Sequence, residues 1–129
     1  MYKIFRYQIP VIVWSVFIYY LLTMPGSNIP KYPFLVQIHI DKIVHFLLFF
    51  ILSVLFIIGR QYHRKICLTN SQFYLLILVI SIAYGIIIEY IQPIITIDRH
   101  RDMYDALCNV AGAIIGVLFF GIIKKLRYL

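Results

Sequence analysis

Four long, nearly uncharged apolar runs constrain this chain more than any other feature. They predict helices over about residues 4–24, 43–59, 73–97 and 98–123. A hydrocarbon core of about 30 Å takes roughly 17 to 25 helical residues to cross. Inside a bilayer every backbone polar group must be paired within the protein, which leaves helices or closed barrels. The runs are continuous rather than alternating, so helices are expected and a barrel is not. Charged residues make up only 13% of the 129 residues, against roughly 25% in a soluble domain. The expected fold is therefore an all-α membrane protein, a single transmembrane domain over residues 1–129 with four transmembrane helices.

Lys3 and Arg6 precede the first run in the manner of a signal peptide. No small-residue cleavage site follows it. The run ends in Leu22-Thr23-Met24-Pro25-Gly26, which reads as a retained helix followed by a loop. The net charge of +7 does not point to nucleic acid, because the basic residues flank the apolar runs instead of forming a stripe. Such charges set orientation and touch anionic headgroups. Lys3, Arg6, Arg60, Arg64, Lys65, Lys124, Lys125 and Arg127 fall on one side, and Lys31, Lys42, Arg99 and Arg101 on the other. Eight against four places both termini in the cytoplasm. The same topology separates Cys67 from Cys108, so no disulfide is expected between them.

The acids are more one-sided than the bases. Asp41, Glu89, Asp98, Asp102 and Asp105 all fall in or near the outer loops. Glu89 lies inside the third run, about 24 Å of helix beyond Phe73 and so in the outer part of the bilayer. Asp98, Asp102, Asp105, Asn109, Gly112 and Gly116 step by 4, 3, 4, 3 and 4, which places them on one helical face. The fourth helix is expected to begin near Asp98, with that residue as its N-cap. Ser81, Gly85, Glu89 and Gln92 form a matching stripe on the third helix, with Pro93 expected to kink or loosen the helix beyond it. Asp41 and His45, four apart with Lys42 beside them, bring a third set from the second helix. The prediction is an outer polar pocket where these helix ends meet.

The pieces Asp41-Lys42-x-x-His45-Phe46, Glu89-x-x-Gln92 and Arg99-x-x-Asp102-x-x-Asp105-x-x-x-Asn109-x-x-Gly112-x-x-x-Gly116 resemble the VanZ family. With the four runs, the resemblance covers nearly the whole chain. Ile97-Asp98-Arg99 stands where that family often has a Pro-Gly-Arg turn. The resemblance implies a bacterial cytoplasmic-membrane protein of the cell envelope, with a link to teicoplanin resistance through the family's namesake.

Two functional classes remain open at this level. In the first, the pocket binds a lipid headgroup or a lipid-linked cell-wall precursor, with Asp41, Lys42, Gln92, Arg99 and Asn109 as binding residues. In the second, the chain is a small intramembrane hydrolase or transferase. Glu89, His45, Asp102 and Asp105 are then the candidate catalytic groups, Glu89 as acid or base and His45 relaying protons. A bland reading competes with both: Glu89 pairs with Arg99 or Lys42, and Asp102 and Asp105 favour a helix N-terminus. No cofactor is expected, although His45, Glu89, Asp102 and Asp105 also form a candidate divalent-metal set. Gly112 and Gly116 have a structural role, allowing close helix approach within the chain or to a second copy of it.

Overall fold

Each apolar run is a helix in the computed structural model of the protein. The structure describes the backbone of residues 2–28, 32–34, 39–61, 70–96 and 100–126. Side chains are described for residues 8–28, 32–34, 39–61, 70–96 and 100–123. The long helices are α1 (Tyr2–Leu22), α2 (Ile40–Gln61), α3 (Asn70–Ile95) and α4 (Met103–Leu126), and no strand occurs among the described residues. Three of them, α2, α3 and α4, are long and apolar enough to cross a membrane. In α1 the described apolar stretch, Gln8–Leu22, is shorter than these.

Hydropathy locates the helices but misplaces their ends. α2 and α3 each start three residues before the predicted positions, because the charged pair Asp41-Lys42 and the polar Asn70-Ser71-Gln72 fall in their first turns. His39 adopts a left-handed backbone (φ 51°) and accepts a hydrogen bond from the Lys42 amide at 3.0 Å, turning the chain into α2. Pro93 does not end α3, which continues to Ile95. The start of α4 corrects the sequence reading more substantially. Residues 100–102 are not helical, so the N-cap is Asp102 and not Asp98. The Asp102 Oδ1 accepts the Tyr104 amide at 2.8 Å, and its carbonyl accepts the first helical bond from Ala106 at 3.3 Å. A carboxylate there satisfies an amide that the helix leaves unpaired. Asp98 itself lies outside the described residues, as do Arg99, Cys67 and the basic loop segment containing Arg64 and Lys65.

α2 and α4 run parallel and form the tightest pair in the bundle. A Cβ on Gly112 would land on the carbonyl oxygen of Phe46, and one on Gly116 would lie 2.7 Å from that of Phe50. The two backbones are in direct contact, a spacing that only glycine permits. The Gly112/Gly116 face, weighed above as a surface for a second copy, is occupied by α2 of the same chain.

α1 and α3 run antiparallel to this pair. Val11, Ile18 and Leu22 of α1 pack with Leu48, Phe49, Leu52 and Ile88. Toward the other end Ile57, Phe73, Ile77 and Val117 form a second core, with the Arg60 guanidinium 4.2 Å from the Phe73 ring centre. Side chains of the other helices also donate to the backbone of α1. The Tyr84 hydroxyl donates to the Ser15 carbonyl at 2.5 Å, and the Gln92 amide to that of Leu22 at 3.0 Å. Thr96 donates to the Thr23 carbonyl at 3.2 Å. In return the Trp14 indole donates to the Leu48 carbonyl at 3.0 Å. Leu22 and Thr23 lie at the end of α1, where carbonyls lack helical partners.

Candidate polar site at one end of the bundle

The directions of the helices decide which polar groups meet. The N-terminal ends of α2 and α4 and the C-terminal end of α3 share one end of the bundle. Seven of the residues singled out in the sequence gather there: Asp41, Lys42, His45, Glu89, Asp102, Asp105 and Asn109. They form two tiers.

The upper tier is an ion-pair cluster. The Lys42 Nζ donates to Asp102 Oδ2 at 2.7 Å and to Asp105 Oδ1 at 3.0 Å, bridging α2 to the start of α4. It also lies 5.5 Å from the centre of the Tyr104 ring. Asp102 precedes the membrane-crossing part of α4. The Lys42 hydrogen bond and then the Tyr104 amide hold its carboxyl below the usual carboxylate range. The Arg101 guanidinium is engaged elsewhere, 4.2 Å from the centre of the Tyr90 ring.

The lower tier is almost sealed. His45 is fully buried, Asn109 is 1% exposed, and Glu89 and Asp105 are each 5% exposed. His45 lies between them. Its Nδ1 is 3.0 Å from Asn109 Oδ1 and 3.6 Å from Glu89 Oε1, while its Nε2 is 3.8 Å from Asp105 Oδ2. Only the contact to Asn109 is a hydrogen bond. His45 Nε2, both carboxylate oxygens of Glu89 and the Asn109 Nδ2 have no hydrogen-bond partner among the described residues. Most buried polar groups in proteins do have one, and leaving one unpaired costs about 1 to 3 kcal/mol, more for a charged group. Four such atoms lie within one small cluster.

Gly85 makes room for this tier. A Cβ there would sit 3.2 Å from the Asn109 side chain and 3.3 Å from the Phe49 ring.

Two members of the sequence-derived set stand apart. Gln92 is buried, but its amide caps α1 at Leu22 and does not join the cluster. Arg99 lies outside the described residues, so the Glu89–Arg99 pairing has no geometry here. Lys42, the other expected partner of Glu89, bonds to Asp102 and Asp105 instead. Sequence reasoning also passed over Ser53 of α2, a fully buried residue whose hydroxyl has no hydrogen-bond partner among the described residues. Its position four residues from Phe49, on the buried face of α2, was the available signal.

A family model described as VanZ/LLP1 matches residues 4–124 of the chain. No curated protein and no solved structure matches it.

Proposed function

The chain belongs to the VanZ/LLP1 family and is a membrane protein, and from that premise we propose that it binds the polar part of a membrane lipid or of a lipid-linked cell-wall precursor in the cluster around His45. The observation that carries this reading is the group of unpartnered, buried polar atoms on His45, Glu89 and Asn109. An intramembrane ionisable residue is retained at a cost of about 2.5 to 3.5 kcal/mol on insertion scales, and a ligand that completes its hydrogen bonds offsets that cost.

In the same proposal α1 crosses the membrane with the other three helices, and the cluster faces outward. Its 21 residues extend about 31 Å. Ile9, Ile12, Val13, Val16 and Tyr20 present an exposed apolar surface suited to lipid. The eight-to-four division of Lys and Arg supports cytoplasmic termini. The teicoplanin link implied by the family resemblance fits a protein acting on the envelope at this leaflet.

The catalytic alternative draws on one observation, the placing of His45 between two buried carboxylates. That arrangement suits proton transfer to a bound substrate.

Native mass spectrometry of the protein released from its own membranes tests the binding reading. A retained lipid or precursor is expected on the wild type and should be lost from Glu89→Gln and Asp105→Asn variants that keep their thermal stability. Equal occupancy in wild type and variants, or none in either, overturns it. Glu89→Gln should cost little stability, since glutamine keeps the shape of the side chain and removes a buried charge; a loss above about 2 kcal/mol would identify a structural pair instead.

A further inference from the structure

The side of His45 away from Glu89 and Asn109 has chemistry of its own. Nε2 of His45 and Oδ2 of Asp105 face each other across 3.8 Å, and Nε2 is buried with no hydrogen-bond partner among the described residues. On the other side of the ring Nδ1 is 3.0 Å from Asn109 Oδ1, and in the neutral tautomer that donates from Nδ1 the Nε2 lone pair is directed at the carboxylate. Two such groups are held facing each other by a shared proton or by a cation between them. A third donor is close by: a ligand atom from each of Asp41, His45 and Asp105 lies within 4.8 Å of the other two.

We propose that Asp41, His45 and Asp105 bind a divalent transition-metal ion. One imidazole and two carboxylates form a mixed nitrogen–oxygen set, which suits Zn²⁺ or Mn²⁺ better than Mg²⁺ or Ca²⁺, ions that favour oxygen ligands alone. In a tetrahedral site with bonds of about 2.1 Å, ligand atoms lie about 3.4 Å apart, so the three groups need to close by roughly an ångström. Rotation of the two aspartates supplies such a movement. Asp41 is exposed and Asp105 buried, which gives the ion a route from the aqueous end of the bundle.

The surroundings fit this assignment. A metal-bound histidine commonly donates its other N–H to an oxygen that fixes its tautomer and orientation, and Asn109 holds that position. Lys42 bonds Asp105 through Oδ1 and leaves Oδ2 turned to His45. Lys42 pairs with two of the carboxylates gathered here, Asp102 and Asp105. The assignment stands on these ligands alone and does not require the cluster to bind a headgroup.

The test uses the full chain in a neutral detergent, stripped with chelator and titrated with Zn²⁺ alone and Mn²⁺ alone. One ion per chain is expected, with a Kd in the micromolar range or below and X-ray absorption showing one imidazole. Asp41→Asn, an exposed position whose substitution leaves the buried packing intact, should weaken binding at least tenfold. Asp105→Asn should do the same, and Asn109→Ala should weaken it severalfold with the ion still bound. A Cys67→Ser/Cys108→Ser variant should bind as the wild type does. Failure to bind either ion, retention of affinity in Asp41→Asn with Asp105→Asn, or loss of binding in the cysteine variant would overturn the proposal.

Discussion

At the scale of single residues, position within the cluster matters more than charge. Asp102 and Asp105 lie three residues apart and share Lys42, yet Asp102 is 40% exposed at its side chain and Asp105 only 7%. Asp102 serves as N-cap and surface ion pair, so its contribution is ordinary and dependent on pH. Its carboxyl is held below the usual range. A lowered folded value means that the stabilisation is complete above the unfolded value, about 3.9, and is lost as pH falls through the lower folded one. Thermal unfolding in detergent should therefore show a stability loss below about pH 4, and Asp102→Asn should reduce that acid-dependent part. The same substitution should leave a modest deficit at neutral pH, since asparagine also caps helices well. An acid limb unchanged in Asp102→Asn would show that other carboxylates govern it. Much of this cluster was legible beforehand, because Asp105, Asn109, Gly112 and Gly116 follow a helical period and the structure buries all four. The destination of Gln92 was not legible. It shares the stripe of Glu89, but one turn further on the stripe meets the end of α1. No period within α3 reports where another helix stops.

At the scale of elements, the pairing of α2 with α4 depends on two missing side chains. Gly112→Ala and Gly116→Ala should each destabilise the folded protein by about 2 kcal/mol or more, since the added carbon meets backbone that has no rotamer to yield. Gly121 lies on the same helix with nothing within 4 Å of an added Cβ. Gly121→Ala should be neutral or stabilising by up to about 1 kcal/mol. Thermal melts of the three variants in one detergent check the contrast; equal effects would mean that the close approach is absent in the membrane. The small-residue spacing revealed that α4 would approach another helix closely, but not which one. That depended on α2 and α4 running parallel, a property of the whole connection through α3. Helix ends were similarly hidden, since capping by Asp102 and the polar first turns carry no hydropathy signal.

At the scale of the whole molecule, the alternation of helix directions brings the ends of all four helices nearest the cluster to one side. In the proposed topology that side is outside the cell. A cysteine introduced at Ser27, in the short 3-10 turn after α1, should react with a membrane-impermeant maleimide added to intact cells. A cysteine added near residue 124 should react only after the membrane is opened. The reverse pattern would overturn the assignment, and a cysteine placed before α1 that also reacts from the outside would show that α1 does not cross.

The way α1 is held has a consequence for how this chain can vary. Tyr84, Gln92 and Thr96 reach it through carbonyls of Ser15, Leu22 and Thr23, groups that every amino acid supplies. The first helix is thus recognised as a backbone, and its lipid-facing surface can drift in sequence without breaking these bonds. The obligation falls on Tyr84 and Gln92 of α3 and on Thr96 just beyond it, three donors with no such latitude. In a library of random substitutions, tolerance should be lopsided: generous along much of α1, narrow at the residues that grip it.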